Sequence, residues 1–113
     1  MLRIWHNPRC SKSRQTLALL QENGHAPEVF LYLETPPDDE ALDRVLGKLG
    51  CKAIDLVRKG QSEWKESGLS ADIAETDVRA AMLAHPILIE RPILETGTKA
   101  AIGRPPEQVL DIL

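Results

Sequence analysis

Apolar positions along this chain switch between two periods. Leu2 and Ile4 alternate with Arg3 and Trp5, which is the two-residue period of a strand. From Ser11 the period lengthens. Leu17, Ala18 and Leu20 mark one helical face, and the run closes at Asn23, with Gly24 in a common C-terminal cap position. Val29, Leu31 and Leu33 alternate with Phe30 and Tyr32 and predict a second strand. A strand, a helix and a strand of these lengths form a right-handed unit with parallel strands.

Thr35-Pro36-Pro37-Asp38 then predicts a second helix, because proline and acidic residues suit a first turn. Leu42, Val45, Leu46 and Leu49 form its buried stripe, and Gly50 ends it. Helical spacing persists from about Ala53 to Ala84, through Ile54, Val57, Trp64, Val78, Ala81 and Met82. Gly60 and Gly68-Leu69-Ser70 divide it into short helices. Ile93–Glu95 and Lys99–Ile102 read as two strands around a Thr96-Gly97-Thr98 turn. Pro105-Pro106-Glu107 opens a last helix, with Val109, Leu110 and Leu113 apolar. The predicted class is α/β: a thioredoxin-like fold, with a mixed four-stranded sheet and a helical insertion between strands two and three.

Composition narrows the setting. The 113 residues, 42% hydrophobic and 27% charged, suit an ordinary globular chain, read as a single domain over 1–113. A net charge of −3 argues against a nucleic-acid partner. No apolar run approaches a membrane span, and the N-terminus lacks the pattern of a signal peptide. A cytoplasmic monomer with reduced cysteines is therefore expected.

Candidate chemistry centres on Cys10, in His6-Asn7-Pro8-Arg9-Cys10-Ser11-Lys12-Ser13-Arg14. The loop joins strand one to helix one, where unpaired N–H groups and the helix dipole favour a thiolate or a bound oxyanion. An unpaired cysteine is often a small buried hydrophobe, but these neighbours make a poor core. Cys10-x-x-Ser13 resembles a redox pair whose second thiol has become a hydroxyl, so Cys10 needs a thiol from outside the loop. His6 reads equally as a hydrogen-bonded structural imidazole or as a group favouring the thiolate. Arg91-Pro92 precedes strand three, where this fold places a cis proline facing the reactive cysteine. Arg104 opens the last helix. Arg58 carries no local signal. Cys51, after Gly50, reads as structural or incidental. No ligand pair spaced for a metal occurs, and no nucleotide-binding fingerprint.

Five segments together resemble the glutaredoxin-dependent arsenate reductase family. They are His6-Asn7-Pro8-x-Cys10-x-x-Ser13-Arg14, Tyr32-Leu33-Glu34-x-Pro36, Leu56-Val57-Arg58-Lys59, His85-Pro86-Ile87-Leu88-Ile89-x-Arg91-Pro92-Ile93 and Gly103-Arg104-Pro105-x-Glu107-x-Val109-Leu110. They span nearly the whole chain in the family's order. The resemblance implies Cys10 as nucleophile and Arg58, Arg91 and Arg104 as an oxyanion cluster. It implies His6, Ser13 and Pro92 in support, no tightly bound cofactor, and arsenate or a related oxyanion as substrate. Glutathione would be co-substrate and glutaredoxin the partner. Ending at Leu113, with Ser11-Lys12 after Cys10, the chain is similar to the shorter, chromosomal branch. A regulatory protein of the Spx type, an oxyanion-binding protein, or a glutathione-linked oxidoreductase of another substrate are the alternative readings; Ser13 in place of a second cysteine argues against the first.

Overall fold

The computed structural model describes residues 2–67 and 74–113. The expected break at Gly68-Leu69-Ser70 lies outside them. The chain falls into two compact units, one of residues 1–35 with 91–113 and one of residues 36–90.

The first unit holds the sheet. Strands β1 (Leu2–Trp5), β2 (Glu28–Phe30), β3 (Ile93–Thr96) and β4 (Ala100–Ile102) stand in the order β2-β1-β3-β4. β1 runs parallel to β2 and antiparallel to β3, and β4 returns antiparallel to β3. Ile4 faces Leu94 across the ladder. Both pack with Leu20 of helix α1 (Ser11–Glu22) and Val109, all fully buried, with Leu2, Leu17, Ala101 and Ile112 around them. Burying each such side chain contributes roughly 1.5–3 kcal/mol, so this face anchors α1 to the sheet. On the other face Trp5 meets the Phe30 ring edge-on at 5.1 Å and donates its indole N–H to buried Glu95 at 3.4 Å.

The predicted elements differ from the observed ones in extent or type at several points. β2 ends at Phe30, not Leu33, because the chain turns: Tyr32 N–H returns to the Phe30 carbonyl, and Glu34 and Thr35 donate to Leu31. Helix α1 stops at Glu22, one residue early, with Asn23 as its cap and Gly24 at φ 81°. The last helix is a 3-10 helix over Pro106–Ile112. Pro105 and Pro106 bring no N–H to its start.

The second unit is helical: α2 (Asp39–Leu49), α3 (Ala53–Leu56), α4 (Ser62–Ser67) and α5 (Glu75–Ala84), then a 3-10 turn at Pro86–Leu88. Asp38 caps α2 by accepting from Ala41 N–H at 2.8 Å, and Gly50 ends it at φ 69°. Arg79 of α5 binds Glu75 and Asp43 at 2.9 and 2.8 Å, and Glu75 accepts from Ala53 N–H. Among the described residues no helix is long and apolar enough to cross a membrane.

Gly103, just after β4, is the most closely packed glycine among the described residues. A Cβ there would lie 2.6 Å from Thr16 Oγ1 and 2.8 Å from Pro92 Cγ. Gly103→Ala is therefore expected to destabilise the fold by about 1–3 kcal/mol. It should appear as a lower urea midpoint with an unchanged m-value; an unchanged midpoint would contradict the packing.

Candidate active site

Asn7-Pro8-Arg9-Cys10 forms a tight turn between β1 and α1. Cys10 N–H donates to the Asn7 carbonyl at 3.0 Å, and Asn7 Oδ1 accepts from Arg9 N–H at 3.0 Å. Arg14 reaches back from α1 to the Pro8 carbonyl at 2.8 Å. The turn thus presents Cys10 as the N-cap residue of α1, whose first turn carries no acidic side chain.

Two arginines come to this sulfur from the far end of the unit. The Arg91-Pro92 bond is cis, as expected, and so is Arg104-Pro105. Gly103 N–H donates to the Pro92 carbonyl at 2.9 Å. That contact sets Arg104 beside the proline loop, where its Nε donates to the Arg91 carbonyl at 2.7 Å and its Nη2 to Cys10 Sγ at 3.7 Å. One guanidinium therefore ties the sulfur to the backbone that carries Arg91.

The electrostatics of Cys10 are a contest. Burial pushes its pKa up. The Ser13 N–H, the Arg91 charge, the Lys12 N–H and the Arg104 charge pull it down, in that order of size, and together they prevail. Cys51 shows the opposite outcome: burial, Asp55 and Glu75 all raise its thiol. Both cysteines are free.

Ser13 is fully buried. Its hydroxyl accepts from Asn7 N–H at 3.0 Å and lies 2.7 Å from His6 Nδ1. The hydroxyl and Nδ1 share one hydrogen bond, donated by whichever of the two carries the proton in the imidazole tautomer present. Burial first, and the Arg14 charge second, hold His6 below the ordinary imidazole pKa. The ring is therefore neutral near pH 7. It acts on the thiol through Ser13, by fixing the residue whose N–H favours the sulfur, rather than as a cation.

The structure thus gathers Cys10, Arg91, Arg104, Pro92, Ser13 and His6 in one unit. Arg58 belongs to the other. There its N–H donates to the Leu88 carbonyl at 2.7 Å, beside the Val57–Ile89 bridge. With the Gln61 amide oriented oxygen toward the guanidinium, Gln61 accepts from Nη1 and Nη2 at 2.8 and 2.9 Å. Sequence reasoning assigned no role to Asn7, which ties the turn three ways; the Asn-Pro pair was its signal. Nothing in the sequence pointed to Gln61.

Residues 5–112 match the ArsC family. The chain is 51% identical to the uncharacterized protein YfgD of Escherichia coli K12, over 99% of this chain and 96% of that one. It is 45% identical to an arsenate reductase of Neisseria meningitidis serogroup A, over 99% and 97%. Its fold superposes on an arsenate reductase from Vibrio cholerae with a TM-score of 0.95, at 47% identity over 99% of this chain and 97% of that one.

The pH dependence of alkylation follows from this geometry. Cys10 should react with iodoacetamide with a midpoint below the free-thiol value of about 8.5. Arg104→Ala should move that midpoint upward, since it removes a donor and a charge from the sulfur. A midpoint in Arg104→Ala equal to wild type would refute the contact.

His6 gives a second dependence. Its native pKa lies below its unfolded value of about 6.5, so the unfolded chain binds more protons as pH falls through that value. Stability is then lost on acidification. The urea midpoint should fall between about pH 7.5 and about pH 5.5, and His6→Gln should flatten that change. An equal fall in both proteins would assign it to other groups.

Proposed function

Because the chain belongs to the ArsC family, we propose that it reduces arsenate to arsenite through the Cys10 thiolate, with glutathione and glutaredoxin supplying the electrons in the cytoplasm. The observation that carries this reading is the Arg104 guanidinium, shared between Cys10 Sγ and the Arg91 carbonyl beside a thiol of lowered pKa.

Arsenate is a tetrahedral oxyanion with one to two negative charges near neutral pH. Guanidinium forks match its oxygens better than an ammonium does. Arg91 and Arg104 stand at the sulfur, and the N–H groups that open α1 add donors. Arg58 is assigned to the same task on the family resemblance. Phosphate has the same shape and charge, so selectivity must come from the reaction: arsenic accepts sulfur attack more readily.

In the first step Cys10 Sγ forms a bond to As(V) as water leaves, and the oxidation states do not change. In the second, the glutathione thiolate attacks Cys10 Sγ. The new S–S bond forms, the S–As bond breaks, and its electron pair stays on arsenic as As(III). Protons from water complete arsenite. A Cys10–glutathione mixed disulfide remains, and glutaredoxin clears it by thiol–disulfide exchange. The lowered pKa serves each stage, because a stabilised thiolate is a ready nucleophile and a good leaving group.

Turnover of arsenate with glutathione and glutaredoxin tests the reading. Cys10→Ser should lose it and Cys51→Ser retain it, and mass spectrometry after oxidation with glutathione should find one adduct, on Cys10. Arg91→Ala should weaken arsenate protection of Cys10 against alkylation by about 1–3 kcal/mol, the worth of one charge-assisted contact. Loss of turnover in Cys51→Ser would move the protein to a two-thiol mechanism. Absence of turnover with any reductant would leave a binding or regulatory protein.

A further inference from the structure

The Tyr32-Leu33-Glu34 segment helps to carry the family resemblance, yet nothing in the chemistry above uses it. In the structure it is the turn that ends β2 early. Together with the turn before Cys10 it encloses a groove of about 380 Å³, with Leu31, Leu33 and Glu34 on one side and His6, Pro8 and Arg9 on the other. That volume lies within the roughly 300–1,000 Å³ of small-ligand sites. We propose that this groove binds the thiol donor, a small peptide thiol of the glutathione kind, with Arg9 taking a carboxylate and Glu34 the ammonium. The proposal rests on the reading that glutathione is the reductant.

Three observations support it. The first is position. A thiolate that displaces arsenic from sulfur must approach along the line of the S–As bond, from the side opposite arsenic. None of Cys10, Arg91 and Arg104 is among the groove's lining residues, so the groove leaves the oxyanion's place free and lies beside the sulfur rather than at it. Its wall is nevertheless the turn that ends at Cys10, closed by the Cys10 N–H to Asn7 carbonyl bond.

The second is charge. Glutathione carries an ammonium and a carboxylate at one end and a second carboxylate at the other. The groove offers one cation and one anion. Arg9 and Glu34 are both exposed. Neither side chain has a hydrogen-bond or ion-pair partner among the described residues, so both can meet a ligand without breaking an internal contact. The third is the apolar stretch between them. Leu33 is 38% exposed, and it can lie against the methylene groups of a γ-glutamyl chain.

The test compares wild type with Glu34→Gln and Arg9→Gln at saturating arsenate and glutaredoxin. Each substitution should raise the glutathione KM about tenfold, the effect of losing one charge-assisted contact. N-acetylglutathione, which lacks the ammonium, should be a poorer donor for wild type, and Glu34→Gln should no longer distinguish it from glutathione. The alkylation midpoint of Cys10 checks that the loop is intact in each variant. Equal glutathione KM values in all three proteins would overturn the groove assignment while leaving glutathione as reductant. If wild type ignores glutathione and turns over with a dithiol protein instead, the reductant reading and the groove fall together.

Discussion

Gly103 presses its Cα between Thr16 of α1 and the ring of Pro92, and the arrangement at the Cys10 sulfur depends on that approach. Its N–H holds the Pro92 carbonyl, and the next residue is Arg104. The guanidinium then has two anchors, the Arg91 carbonyl and Cys10 Sγ. Sequence positions 10, 91 and 104 meet because a residue without a side chain lets one strand end lie flat against a helix and a proline loop. The core on that side, Ile4, Leu20, Leu94 and Val109, supplies the pressure that keeps them there.

What the sulfur gains is a balance rather than a single strong partner. Partial burial raises the thiol pKa, and two amide N–H groups with two guanidinium charges reverse the sign. The amide groups are fixed by the backbone of α1, whose start is tied down by Asn7, Ser13 and Arg14. His6 belongs to that scaffold. A neutral imidazole hydrogen-bonded to Ser13 contributes geometry, and the positive charge comes from arginine.

Much of the fold was legible because strand and helix periods are strong where one face is buried. β1, the stripe of α2 and the β3–β4 hairpin follow directly from alternation, from i, i+3, i+4 spacing and from turn residues. β2 was overestimated because Leu31 and Leu33 keep the alternating pattern after the backbone has turned. Periodicity reports side-chain polarity and is blind to the Tyr32–Phe30 backbone bond that closes the strand. The 3-10 helix was read as α because Val109, Leu110 and Leu113 suit either. At the site, Cys10 was visible from its loop and Arg91 from the following proline. Arg104 could be suspected, but its bond to the sulfur depends on packing across the sheet. Arg58 came only from family resemblance, and its clamp by Gln61 is a side-chain geometry with no pattern in sequence.

Ser13 separates this loop from a two-thiol loop by one atom, yet the structure makes the distance greater than that. Its side chain is fully buried, with the hydroxyl between an imidazole nitrogen at 2.7 Å and an amide N–H at 3.0 Å. Sulfur is larger than oxygen and a weaker hydrogen-bond partner on both counts. A cysteine placed there would inherit a slot built for a hydroxyl and would loosen the turn that presents Cys10. A second thiol at this position therefore requires rebuilding His6 and Asn7 as well. The chemistry of the whole loop, and not one side chain, separates a hydroxyl at this position from a thiol.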